Sequence, residues 1–174
     1  MFVLRCTRPL FREIRRLIRI DASAVSTTVL GDWFANRLNV GPRRYILATN
    51  ALTRLSVVVP ARDLALLPGR ITSSVAVLLA HLGVREELRL PEIERMTMVS
   101  IAATNSRSVL STMVDIGFSA YDELYDLPFR PGRSLAHVDL TLSALPMRFA
   151  GYRTAAELAL TRLDSHASTG RIVP

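Results

Sequence analysis

The chain contains no lysine at all, one cysteine, three histidines and few aromatic residues (6%). Each scarcity closes off a class of chemistry. Cys6 alone can form neither an internal disulfide nor a thiolate metal cluster, so nothing calls for an oxidising compartment. His81, His137 and His166 stand far apart and in no HxxxH, HExxH or HxH arrangement, so no metal site is expected and the three read as structural or solvated groups. The eight glycines are scattered singly; neither GxxxxGK[ST] nor GxGxxG occurs, and no nucleotide cofactor is expected. GxSxG is also absent, and Cys6 has no histidine close by in sequence, which makes it a buried, inert thiol rather than a nucleophile. Long apolar runs are missing too. Arginines interrupt the first sixteen residues before a signal-peptide core can form, and the weakly polar stretch Val75 to Val84 falls short of the roughly 20 residues that cross a bilayer. The expectation is a cytoplasmic protein with no membrane span.

What is present is an ordinary globular composition, 49% hydrophobic and 21% charged over 174 residues. A chain of this length buries roughly two-thirds of its unfolded surface, so one domain needs no staple. The net charge is +7, carried by 22 arginines against 15 acids. An all-arginine complement fits the codon bias of a GC-rich genome, so position says more than total. Residues 1–20 hold Arg5, Arg8, Arg12, Arg15, Arg16 and Arg19 against Glu13 alone, a local balance of +5; the remaining 154 residues carry only +2.

Hydrophobic periodicity predicts a single α+β domain over residues 1–174, an antiparallel β-meander packed against several helices. Phe2-Val3-Leu4 reads as a strand. Pro9 opens a basic amphipathic helix, with Leu10, Phe11, Ile14, Leu17 and Ile18 on one face and arginines mostly on the other. Residues 31–60 supply three strands punctuated by Gly41-Pro42 and by a turn over Asn50 to Thr53. Helices are predicted over 71–82, from Pro91 to Met96, over 108–121, over 135–145 and over 155–163, with a further strand over 99–103; residues 164–174 form a frayed tail.

Two polar clusters carry candidate chemistry. Asp32, at the start of a strand among aromatics, is either a turn residue satisfied by backbone N–H groups or a general base with a raised pKa. Asn105, Ser106, Arg107 and Ser108 open a helix, where Asn105 or Ser106 caps it and Arg107 pairs with Asp115, or where the helix end and Arg107 hold an anion. The arginine helix can track phosphates, face an acidic protein, lie on an anionic membrane surface, or simply cover apolar surface with its stems. Base-stacking aromatics are scarce beside it, since Phe2 and Phe11 are read as core residues.

Four stretches also resemble a family of bacterial proteins, domain of unknown function 6933. Leu4-Arg5-Cys6-Thr7-Arg8 is similar to the family's LRCT followed by a basic residue, and Leu30-Gly31-Asp32-Trp33-Phe34-Ala35-Asn36 to its LGDWYAN. Asn105-Ser106-Arg107-Ser108-Val109-Leu110 resembles N-x-RSVLGSMND, continuing through Ser111, Met113 and Asp115, and Pro146-Met147 resembles a PM pair near the C-terminus. Ser111 replaces a common glycine and Val114 an asparagine. The resemblance implies a small bacterial cytoplasmic protein and no particular activity. If its motifs meet in space, Cys6, Asp32, Trp33, Asn36, Asn105, Arg107, Ser108 and Asp115 line one cleft; if each caps its own element, they lie apart.

Three functions follow as expectations. The first is a non-catalytic binding module whose N-terminal arginines, Arg5 to Arg19, contact nucleic acid or an acidic protein. The second is a small hydrolase or nuclease-like toxin using Asp32 or Asp115 with Arg107. The third is a homo-oligomerising subunit pairing through Val75 to Leu82 or Ala155 to Leu163.

Overall fold

The computed structural model describes residues 1–17 and 24–169. Five strands form one mixed sheet: β1 (Phe2–Cys6), β2 (Trp33–Val40), β3 (Arg43–Asn50), β4 (Ser56–Pro60) and β5 (Val99–Ala103), in the order β4-β3-β2-β1-β5. The expected meander is there. β2, β3 and β4 run antiparallel, and β2 turns into β3 through Gly41, whose φ of 55° suits a two-residue hairpin, and Pro42. The turn after β3 is built on buried Asn50, whose Oδ1 accepts from the N–H of Leu52 and of Thr53 while its Nδ2 donates to the carbonyl of Leu30.

The purely antiparallel expectation is corrected by β1, which lies parallel to both β2 and β5. Parallel neighbours need long crossovers, and here residues 7–32 and 61–98 provide them. The first contains α1 (Arg8–Ile14), the second α2 (Leu67–His81) and α3 (Glu86–Arg95). α4 (Arg107–Asp126) follows β5, then α5 (Leu135–Ser143), a small hairpin of β6 (Pro146–Met147) and β7 (Arg153–Thr154), and α6 (Ala155–Thr169).

Paired residues across a sheet share a face. Phe2, Leu4, Cys6, Trp33, Ala35, Arg37 and Ile46 fall on one side, where α1 lies and its Glu13 pairs with Arg37. Asn36, Leu38 and Leu47 fall on the other, against Met113, Gly117 and Phe118 of α4. α2 and α5 pack on the edge strand β4, and Asp139 of α5 accepts the outward N–H of Val58 at 2.8 Å, which closes a sheet edge that would otherwise stand open.

Several boundaries differ from expectation, among them the end of α4, which runs on to Asp126. α3 begins five residues before Pro91, with Glu86 and Glu87 in its first turn on the favourable side of the helix dipole and Pro91 inside the helix. α6 continues to Thr169, so residues 164–169 are helix rather than tail, and 170–174 lie outside the described residues. The segment Leu64–His81 has the length and mean hydropathy, 1.4, of a membrane-crossing helix, longer than the apolar stretch read from the sequence; in this fold Ile71, Val75, Leu78 and Leu79 are core residues.

Candidate functional site

The motif residues gather around β1, at both of its ends. Arg5, the fourth residue of β1 and in register with Phe34 of β2, reaches back toward the amino end, where its Nε donates to Asp32 Oδ2 at 2.5 Å and Ser26 Oγ donates to Asp32 Oδ1 at 2.6 Å. Ser26 accepts the N–H of Val3 in turn, and the neighbouring loop is held by fully buried Glu92, which accepts from Val29 N–H at 2.7 Å and Leu30 N–H at 2.8 Å. Burial pushes the Glu92 carboxyl above its ordinary value, while those two N–H groups pull it back. Asp32 is thus a satisfied ion-pair partner, and Arg5 belongs to an interior circuit instead of an exposed stripe.

The carboxyl end is open. Thr7 N–H donates to Ala35 O and Thr104 N–H to Cys6 O, which bring the exits of β1 and β5 beside the middle of β2. Thr7 Oγ1 donates to Asn36 Oδ1 at 2.8 Å, and Arg37 N–H shares that oxygen, so the amide nitrogen of exposed Asn36 remains available. β1 leads into α1 on one face of the sheet and β5 into α4 on the other. A crevice outside the carboxyl ends of parallel strands, where successive connections diverge to opposite faces, is where open α/β sheets place ligands.

Along this end the arginines of α1 are exposed. Arg8 and Arg12 project from the face opposite buried Leu10 and Ile14, Arg15 and Arg16 are exposed in the turn that follows, and no carboxylate among the described residues pairs with any of the four. Glu13, the lone acid of the segment, is taken by Arg37. Arg19 lies outside the described residues. At the start of α4, Ser106 Oγ caps Val109 N–H, whereas Asn105, Arg107 and Ser108 are exposed and Arg107 has no ion-pair partner among the described residues.

The remaining candidates are elsewhere. Cys6 and Trp33 are fully buried in the core rather than lining a cleft; burial pushes the Cys6 thiol up to about 12, and the Trp33 indole N–H has no acceptor. Asp115 is exposed beside the β6 residues Pro146 and Met147, uniting the third and fourth motif stretches. It stands eight residues from Arg107, about 12 Å along a helix, and Asp32 stands four residues before Asn36, about 13 Å along a strand. Asp32, Arg107 and Asp115 share no hydrogen bond or ion pair among the described residues, and the Asp32 carboxylate is taken by Arg5 and Ser26. Among the described residues no group of three His, Cys, Asp or Glu side chains could hold a metal ion.

The apolar faces expected to pair subunits are used internally: Val75, Leu78, Leu79, Ala155, Ala159 and Leu163 are buried. Val77 of α2 is exposed, and so are Val114, Phe118, Tyr121 and Tyr125 along α4. Glu92 and Thr7 had no local signal as partners, because their acceptors and donors come from segments 29 to 63 residues away.

A model of the family described as "Domain of unknown function (DUF6933)" matches residues 3–158, from β1 into the first turn of α6. No curated protein and no solved structure matches the chain.

Proposed function

We propose that this chain, which belongs to the DUF6933 family, is a cytoplasmic binding module that holds the phosphate backbone of nucleic acid through the arginines of α1 and Arg107 of α4. The observation that carries this reading is the set of exposed guanidinium groups, Arg8, Arg12, Arg15 and Arg16, unneutralised by any carboxylate of the described residues and set at the open carboxyl end of β1. Arginine forks fit phosphate oxygens two at a time, and a helix that already packs its apolar face loses little freedom on presenting them. Few aromatics flank the stripe, so the contact is with the backbone rather than with stacked bases.

Such a contact releases counterions. Binding of a short mixed-sequence DNA duplex should weaken with salt at a log–log slope of about −0.9 per phosphate engaged, hence roughly −4 if Arg8, Arg12, Arg15 and Arg16 all contribute. Arg8→Gln and Arg12→Gln should each make that slope shallower by about 1. A flat salt dependence removes the reading, and preference for a poly-glutamate peptide over the duplex transfers it to an acidic protein partner.

A further inference from the structure

An open cleft of about 650 Å³ lies between the loop before β2, the turn after β3, and a wall made by β7 and α6. We propose that it binds a small organic anion, its phosphate or carboxylate group held by Arg153, Arg162 and His166 and its apolar part resting on Val29, Leu52 and Leu158. This site shares no residue with the arginine stripe of α1.

The wall is built by helical spacing. Leu158, Arg162 and His166 follow one another at four-residue intervals on α6, so they stack along one face, and Arg153 of β7 joins them at the cleft. Both guanidinium groups are oriented before any ligand arrives. Arg162 Nε donates to Val29 O at 2.6 Å, and Arg153 Nη2 donates to Thr161 Oγ1 at 2.5 Å and to Glu157 O at 3.3 Å. Their remaining N–H groups have no carboxylate: neither arginine forms an ion pair among the described residues, and no acid lines the cleft.

The acids near this wall are already engaged by other groups, although Glu157 feels the charge of Arg153 and Glu92 that of His166. Glu157 accepts Thr154 N–H at 2.7 Å, and Asp164 faces Arg85 at 3.7 Å. Glu92, behind the loop, has both oxygens committed to Val29 and Leu30. Two anchored forks and an imidazole on one side of a cleft, with aliphatic groups beside them, match an anionic head on an apolar body.

The test is calorimetric titration of the full chain with three probes of one shape: phenyl phosphate, benzoate and uncharged phenol. Saturable binding of one or both anions, with none of phenol, is expected, and the preferred anion identifies the head group. Arg153→Gln and Arg162→Gln should each weaken it at least about tenfold, and Arg8→Gln should leave it unchanged. Arg162 also tethers Val29, so His166→Gln, which removes a side chain with no hydrogen bond among the described residues, is the variant that spares the fold; a several-fold loss is expected. Failure of both anions to saturate, equal binding of phenol, or unchanged affinity in both Arg153→Gln and His166→Gln overturns the proposal.

Discussion

Strand β1 sends polar side chains to two places that differ in what surrounds them. Toward its amino end, where the Arg5 side chain reaches back to Asp32, the two groups are 17% and 23% exposed and with Ser26 close a circuit in which each charge finds a partner within the protein. At its carboxyl end, Thr7 reaches Asn36 and the chain then enters a helix whose arginines meet water. Residue type does not separate these ends, since both are rich in arginine and hydroxyl groups. The supply of carboxylates does: the loop before β2 and α3 bring Asp32 and Glu92 to the first end, while Glu13, beside the second among the described residues, is already held by Arg37. Partly desolvated groups with matched partners hold a fold together; charges without partners are cheap to expose and free to engage something else.

The strongest way to break this contrast is to cut the clamp at the closed end. Glu92→Ala strands the buried N–H groups of Val29 and Leu30, at about 1–3 kcal/mol each, so urea unfolding should show a loss of about 2–5 kcal/mol. Glu92→Gln keeps one oxygen acceptor and should lose less. The amide protons of Val29 and Leu30 should exchange faster in the alanine variant, and a cost below about 1 kcal/mol would mean that the loop holds itself.

A third interior carboxylate sharpens the same contrast through pH. Desolvation pushes Asp139 up from 3.8 to about 8, against the downward pull of the Val58 N–H. The folded protein therefore keeps this proton where the unfolded chain releases it. Its contribution is full below about pH 4 and declines between about pH 4 and 8, by up to about 1.4 kcal/mol per pH unit, then levels off. Asparagine keeps an acceptor for Val58 and cannot ionise, so stability measured across that range should be flatter in Asp139→Asn. Parallel pH profiles for the two proteins would show that the carboxyl is ionised in the fold.

How much of this was readable in advance follows from how far apart the partners lie. The hairpin at Gly41-Pro42, the strand at Val99 to Ala103 and the helix opening after Asn105-Ser106 are local patterns, and the structure has all of them. The parallel seating of β1 is not local: Leu4 pairs with Trp33, 29 residues on, and Phe2 with Val99, 97 residues on, and no periodicity within Phe2–Cys6 distinguishes parallel from antiparallel pairing. The site divides in the same way. Exposed Arg8, Arg12, Arg15 and Arg16 follow from helical spacing alone, whereas the role of Asp32 depended on Arg5, 27 positions earlier. Cys6 and Trp33 belong to motifs that also contain exposed residues, Arg8 and Asn36, yet lie in the core, because this part of the sheet is covered on both faces and Phe34 and Ala35 beside Trp33 are buried too.

The smallest expected effect is the most telling, because it concerns residues that the fold does not use. Arg8 and Arg12 are exposed and form no ion pair among the described residues, so Arg8→Gln and Arg12→Gln should change unfolding free energy by no more than about 0.5 kcal/mol. Arg5→Gln, with the same change of side chain at the closed end, leaves Asp32 without its guanidinium and should cost about 1–3 kcal/mol. Measured together by urea unfolding, the three variants hold the chemistry of the substitution constant and vary only the surroundings. If Arg8→Gln destabilised as much as Arg5→Gln, the stripe would be part of the scaffold, and its charges would not be free to bind phosphate. If it left stability unchanged while weakening duplex binding, the same arginines would be surplus to the fold and committed to the partner.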